Sequence, residues 1–312
     1  MSEPIKILIS DDMSKKAVEI LSGAGFQVDV KTGMKPEELA AVVGQYHGLG
    51  VRSASKVTAA VLANPGKLKI IGRAGVGVDN IDVKAAKEKG ILVINTPQGN
   101  AAAAAELAIG LMFALARKIP GADASMKRGE WEKKKFMGVE IAGKTLGVVG
   151  LGNIGRNAAQ RGVGLGMNVI GFDPFPPKTL PDGVKVVSFD ELVAKSDFIT
   201  LHVPLVDSTK NLFNAETFAK MKKGSYLINC ARGGIVNEPD VLGALQSGQL
   251  AGAALDVFGK EPPEKAPIFE HENVIFTAHL GASTKEAQEK VAIELAEVFV
   301  GFLKDGIVKN AV

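Results

Sequence analysis

Short apolar runs separated by stretches of helical spacing recur along almost the whole chain. In the first hundred residues Ile5-Lys6-Ile7-Leu8-Ile9, Gln27 to Val30, Gly48 to Val51, Leu68 to Ile71 and Ile91 to Ile94 read as strands. Lys15 to Gly25, Pro36 to Gln45 and Val57 to Asn64 read as the helices between them. Thr145 to Val149, Met167 to Phe172, Phe198 to Leu201, Tyr226 to Asn229, Ala251 to Val257 and Val274 to Thr277 repeat the strand pattern. Such alternation predicts parallel sheets joined by crossover helices. Two helices stand apart. Ala101 to Ala116 is apolar nearly all round, with Asn100 available as its N-cap, and reads as a buried connector. It is too short for a membrane span, and Glu106 interrupts it. Ser283-Thr284-Lys285-Glu286 has the spacing of a capping box and opens a stripe through Val291, Leu295, Val298 and Phe302.

Near the middle of the chain the strand ending at Val149 runs into Gly150-Leu151-Gly152-Asn153-Ile154-Gly155. A helix from Arg156 to Gly166 should follow, then a strand closing on Asp173. Strand, G-x-G-x-x-G turn, helix and acidic strand end, all in register, form a dinucleotide fingerprint. Gly150 permits the tight turn, Gly152 lets the backbone approach a pyrophosphate, and Gly155 lets helix and strand pack closely. The helix N-terminus offers that pyrophosphate unpaired N–H groups and a positive dipole end. About half the chain precedes this motif, so one domain is spliced into another. The expected fold is α/β with two doubly wound parallel-sheet domains. A Rossmann nucleotide-binding domain over 100–285 is inserted into a discontinuous, flavodoxin-like substrate domain over 1–99 and 286–312. Ligand should lie in the cleft between the lobes.

Composition narrows the class without changing this picture. The 312 residues suit about two domains, and 46% hydrophobic with 23% charged residues is a globular balance. A net charge of +3 is too small to argue for nucleic acid. No apolar stretch reaches membrane-span length, and the first residues lack a signal segment, so a soluble cytoplasmic protein is expected. The single cysteine, Cys230, lies in an apolar run and reads as a buried structural thiol. Four scattered histidines without ligand spacing predict no metal site. His47 and His271 read as surface residues, and His202 as a strand-end residue lining an adenine pocket.

Three charged residues follow predicted strands: Arg232, Glu261 and His279. In an open α/β sheet those carboxyl ends face the ligand crevice. A guanidinium can hold a carboxylate with a bidentate fork and polarise a keto oxygen. An imidazole can exchange a proton with that oxygen as a hydride moves, and a carboxylate beside it would fix the ring. The constellation suits hydride transfer between a dinucleotide and an α-keto acid. Taken alone, Arg232 and Glu261 could instead be a structural ion pair, and the run Lys133-Lys134-Lys135 a solvated charge run.

The segments Gly150 to Gly155, Asn229-Cys-Ala-Arg-Gly-Gly234, Ala253 to Phe258, Glu261-Pro-Pro263 and His279-Leu-Gly-Ala-Ser-Thr284 resemble the D-isomer-specific 2-hydroxyacid dehydrogenases. Val51 to Ala54, Gly72 to Asp79 and Trp131 to Gly138 extend the likeness over essentially the whole chain. The resemblance implies that Arg232, Glu261 and His279 are catalytic and that the cofactor is NAD. It places Gly150, Gly152, Asn153, Ile154, Gly155, His202, Val203, Pro204, Ala231, Arg232, His279, Gly281 and Ala282 around NAD. Asp173 would hold the ribose and Asp256 contact the nicotinamide. Arg52, Ser53, Gly75, Val76, Gly77 and Asn100, with Arg232 and His279, would contact substrate, expected to be a phosphorylated 2-hydroxy acid. One of Lys133, Lys134 and Lys135 would reach the phosphate, across the interface of a homodimer or homotetramer. Other members carry C-terminal regulatory domains; here the sequence ends at Asn310-Ala311-Val312, so feedback through such domains is not expected. The rival readings are a glyoxylate or hydroxypyruvate reductase on the same scaffold and a non-catalytic, NADH-sensing corepressor.

Overall fold

In the computed structural model, which describes residues 3–312, every strand pairing within the two sheets is parallel. The first sheet contains β1 (Lys6–Ile9), β2 (Gln27–Val30), β3 (Gly48–Val51), β4 (Ile70–Arg73) and β5 (Leu92–Asn95), in the order β2-β1-β3-β4-β5. That is the flavodoxin-like order. The second sheet contains β6 (Thr145–Val149), β7 (Asn168–Phe172), β8 (Val184–Val186), β9 (Phe198–Leu201), β10 (Ser225–Asn229), β11 (Leu250–Leu255) and β12 (Val274–Phe276). Its order, β12-β11-β10-β9-β6-β7-β8, is doubly wound, with the switch of direction at β6, the strand that feeds the glycine turn. The chain divides into two compact units, one comprising residues through Asn100 together with Ala282–Val312, the other Ala101–Gly281. Among the described residues no helix is long and apolar enough to cross a membrane.

In the first unit, helix Lys285–Asp305 packs on the sheet through Val291, Leu295, Val298 and Phe299, all buried. Phe299 is wholly enclosed, and the strands carry glycine where its ring lies. A Cβ at Gly72 would stand 2.5 Å from Phe299 Cε1, and one at Gly48 3.1 Å from Cε2. These strand glycines therefore admit a large ring that no side chain could face. The core of the second unit has two parts. Phe213, Phe218 and Ile199 belong to one; Ala108, Leu111, Met112 and Leu115, from helix Ala101–Ala116, belong to the other. That helix is buried over most of its surface, as its composition predicts.

Several local expectations are corrected. Val57 to Asn64 is not a helix: Val57 bridges Ile81, its N–H donating to Asn80 O and its carbonyl accepting from Asp82 N. That extended pairing starts the segment outside helical geometry, and Pro65 ends it before a helix could propagate, leaving turns that bury Val61 and Leu62. The helix after the glycine turn is Asn153–Gly164, beginning inside the fingerprint because Gly152 is its N-cap. Thr284, not Ser283, caps Lys285–Asp305, its Oγ1 accepting from Ala287 N at 3.1 Å. That cap places Ala287 at the third helical position, so no capping box with Glu286 forms. Asn100 does not cap its helix through its side chain; its Oδ1 is buried and without a hydrogen bond. His47 and His271 are half-buried: His47 Nδ1 accepts from Lys6 N (3.0 Å) and His271 Nδ1 from Asn273 N (3.2 Å).

The Phe299 packing gives a direct test. Gly72→Ala should cost about 1–3 kcal/mol through overpacking, and Phe299→Ala about 3–5 kcal/mol through cavity formation. In the double variant the added methyl no longer meets a ring, so its cost should fall well below the sum. Denaturant unfolding midpoints of the four proteins measure this; simple additivity would show that the contact does not matter.

Candidate active site

The glycine turn is built on close approach. Gly150 has φ +92°, and a Cβ there would lie 2.6 Å from His202 O. A Cβ on Gly155 would lie 1.8 Å from Gly150 O. Gly152 is different: a Cβ there meets nothing within 4 Å. Its emptiness is directed outward, at the start of a helix whose first internal bond is Arg156 N to Gly152 O (3.0 Å). The amides of that first turn, Asn153 and Ile154 among them, precede any intrahelical donor and suit a pyrophosphate. Asp173, just past β7, accepts from Leu151 N (2.8 Å) through Oδ2 and from Phe175 N (2.8 Å) through Oδ1. The carboxylate is thus tied to the glycine turn itself. These residues fit a dinucleotide.

His202, Val203 and Pro204 continue β9. His202 Nε2 lies 3.0 Å from Thr200 Oγ1, while its Nδ1 is buried and unpartnered. Burial holds its pKa down, to about 4, so the ring is neutral at pH 7. The His202 carbonyl and the Val203 side chain pack against Gly150, as a wall of the nucleotide site should. Cys230 is buried, and burial, with Asp256 nearby, pushes its thiol pKa up, so it is no nucleophile.

Arg232, Glu261 and His279 follow β10, β11 and β12. Asn229 folds the first of these loops: its Oδ1 accepts from Ala231 N (3.1 Å) and its Nδ2 donates to Arg232 O (3.0 Å). Arg232 Nη1 donates to Ala231 O at 2.7 Å. Glu261 and His279 meet, with His279 Nδ1 2.8 Å from Glu261 Oε2. The other carboxylate oxygen accepts from Phe258 N at 3.1 Å, so the acid is itself oriented. With Nδ1 engaged, Nε2 is the ring nitrogen left for a ligand.

His279 has φ +53°, an unusual left-handed conformation for a non-glycine residue, of a kind stored at functional sites. Asp256 maintains it. The Asp256 carbonyl accepts from His279 N (2.8 Å), Oδ1 accepts from Thr277 Oγ1 (2.6 Å) and Leu280 N (2.7 Å), and Oδ2 from Gly281 N (3.0 Å). Asp256 has no exposed surface. Its carboxylate is engaged with the loop that carries His279.

The first unit holds the other residues. Arg52 and Ser53 sit on the loop after β3, Arg52 half-buried and Ser53 exposed. Gly75, with φ +152°, donates its N–H to Thr96 Oγ1 at 2.7 Å, so that amide is not free for a ligand. The amides of Val76 and Gly77 donate to nothing among the described residues. Asn100 adds the buried, unpartnered Oδ1. Lys133, Lys134 and Lys135 are exposed; Lys135 lies 3.5 Å from Glu132 and 5.8 Å from the centre of the Phe136 ring. Sequence reasoning missed the layer beneath these loops: Asp11, Asn80 and Thr96.

A doubly wound sheet with this glycine turn, acidic strand end and histidine–carboxylate pair defines a dinucleotide-binding protein of the dehydrogenase class. Residues 109–281 match the NAD binding domain of the D-isomer specific 2-hydroxyacid dehydrogenases, and the chain belongs to that family. It is 54% identical over 301 residues to D-3-phosphoglycerate dehydrogenase of Pongo abelii, covering 96% of this chain and 56% of that protein. It is 48% identical to the enzyme of the same name from Methanocaldococcus jannaschii, covering 99% of this chain and 59% of that one. The chain therefore spans little more than half the length of these curated relatives. A solved glyoxylate reductase from Paecilomyes thermophila superposes with a TM-score of 0.91 at 31% identity, over 100% of this chain and 99% of that one.

The two glycines make separable predictions. Gly152→Ala should leave the unfolding temperature unchanged yet weaken NADH binding, because the methyl enters only the space a pyrophosphate needs. Gly155→Ala should lower both. Thermal melts with NADH titration measure this, and a Gly152→Ala protein that binds NADH normally would move the cofactor elsewhere.

Proposed function

We propose that the protein oxidises 3-phospho-D-glycerate to 3-phosphohydroxypyruvate with NAD, the first step of serine biosynthesis. The observation that carries the reading is the oriented His279–Glu261 pair in the same unit as the glycine-turn nucleotide site. When bound, NAD supplies the acceptor for the hydride leaving C2 of the substrate. His279 Nε2 takes the proton of the C2 hydroxyl as the C–O bond becomes a carbonyl. Glu261 holds the ring through Nδ1 and stabilises the imidazolium that results. Arg232 holds the substrate carboxylate and the C2 oxygen through its guanidinium fork. Asp173 holds the adenosine ribose, and its negative charge disfavours a 2′-phosphate. Glyoxylate reduction is the second reading, favoured by the likeness to the Paecilomyes thermophila reductase.

Support for a phosphorylated substrate comes from the first unit: the free amides of Val76 and Gly77, the Arg52 guanidinium and the orphaned Asn100 Oδ1 suit an anionic, hydroxyl-bearing molecule. His279→Ala should cut turnover by about 10²–10⁴ while NADH binding stays intact. Arg52→Ala should raise KM for 3-phosphoglycerate far more than for D-glycerate. Steady-state kinetics on 3-phosphoglycerate, D-glycerate, D-lactate and glyoxylate test both. Should glyoxylate or D-lactate turn over faster than 3-phosphoglycerate, the substrate assignment fails.

We also infer a homo-oligomer. Ile119, Met126, Trp131 and Met137 expose 51%, 55%, 76% and 77% of their surface within one short segment. Exposed apolar clusters of this kind mark association sites. Trp131→Glu should lower the mass measured by light scattering; an unchanged mass would remove this segment from the interface.

A further inference from the structure

The loop that carries Arg52 and Ser53 has an exposed tip and a buried base. Ser53 and Ala54 face solvent, whereas Ser55 is buried at 4% exposure. β3 ends at Val51, and its neighbour β1 ends at Ile9, two residues before Asp11. Asp11 is itself only 4% exposed. Its Oδ2 accepts from Arg52 N at 2.6 Å, and its Oδ1 accepts from Ser55 N (3.0 Å) and Ser55 Oγ (2.6 Å). From the other side Asn80 Nδ2 donates to Arg52 O (2.8 Å) and Ser55 O (2.7 Å).

Both ends of a four-residue loop are therefore gripped twice. The amide of each end residue is held by Asp11 and the carbonyl of each by Asn80. Among the described residues Asp11 makes no ion pair; its hydrogen bonds come from N–H and O–H donors alone. The Arg52 guanidinium is set separately, Nη1 donating to Asp12 O at 3.1 Å. A buried carboxylate is costly unless every lone pair has a donor, and a loop needing only closure could be closed without one. What the arrangement achieves is a fixed direction for Arg52 and Ser53.

We propose that Asp11 and Asn80 are positioning residues that preorganise the Arg52–Ser53 loop for the substrate anion. The inference rests on the reading above that Arg52 binds that anion. Ordering the loop in advance removes its entropy loss from the binding step. The effect should therefore fall on substrate affinity and leave the proton transfer at His279 untouched.

The test is a kinetic cycle with Asp11→Asn, Asn80→Ala and Arg52→Ala in the full chain, using 3-phosphoglycerate and NAD. Asp11→Asn replaces one acceptor oxygen by an amide that opposes the loop N–H groups. Asn80→Ala removes the second grip without touching a charge, so the question stays open to measurement even if Asp11→Asn does not fold. Each should raise KM about tenfold, the scale of one lost charge-assisted hydrogen bond. Turnover should stay within about twofold and NADH affinity should not change. Combined with Arg52→Ala, neither should add its full increase in KM, because most of its effect acts through Arg52. A purely structural role would instead lower turnover or active fraction at constant KM; that result, or multiplying effects in the double variants, would overturn the inference. If Arg52→Ala alone leaves KM unchanged while His279→Ala abolishes turnover, the role of Arg52 and this inference fall together and the dehydrogenase reading stands.

Discussion

A parallel sheet places its functional loops where no ladder of hydrogen bonds continues, and a loop carrying a catalytic or binding group must be held by something else. In this protein that something is a set of polar side chains, most of them buried, at the strand ends and in the loops that follow them. Asp256 holds the loop 279–281, Asn229 holds Ala231 and Arg232, Asp11 and Asn80 hold the loop 52–55, and Thr96 holds Gly75. Each is at least partly sequestered and bonds to loop backbone; Asn229 holds the loop after its own strand, and the others hold a loop that follows another strand. A buried polar group left unpaired would be destabilising, so each loop and its anchor require one another. The left-handed His279 persists on these terms: the loop would relax without Asp256, and Asp256 would be an uncompensated buried carboxylate without the loop.

Steric exclusion supplies the second constraint. Gly155 lies so close to Gly150 O, and Gly233 so close to Phe258 O, that any side chain would displace the backbone beside the site. Gly48 and Gly72 perform a related task in the core of the first unit, opening its sheet to Phe299. Gly152 alone among the fingerprint glycines faces open space. Identical residues thus do three jobs, and only the surroundings of each distinguish packing from ligand access.

Most of the architecture was legible because local pattern and tertiary role agree. β3 falls on its predicted residues, and Ala101–Ala116 is buried as its uniform apolarity demands. The glycine turn carries its own steric logic. Val57 to Asn64 failed because its apolar spacing suits either a helix or turns over a core, and a bridge to Ile81 decided between them. Asn100 failed as a cap although its residue type is right, since type does not reveal where a side chain is aimed. Phe299, the ring at the centre of its core, was left out of the helical stripe because Val298 and Phe302 describe a neighbouring face equally well. Asp11 was invisible for a deeper reason. A polar residue after a strand looks like any turn, and its partners lie some 40 positions away, beyond any local pattern.

The anchors also separate what a relative can change from what it must keep. The His279–Glu261 pair depends on Asp256 and on Phe258 N, all within the unit that binds the nucleotide. Altering that set disturbs the orientation of the histidine itself. Arg52, Val76 and Gly77 lie in the first unit, on loops held by Asp11, Asn80 and Thr96, and they take no part in orienting the histidine. Side chains at the loop tips can therefore vary while the anchors stay. A solved glyoxylate reductase and phosphoglycerate dehydrogenases both resemble this chain, so the scaffold by itself does not fix the substrate. Ser53 stands exposed at a loop tip, whereas the buried Asp256 is committed to the fold of the loop around His279.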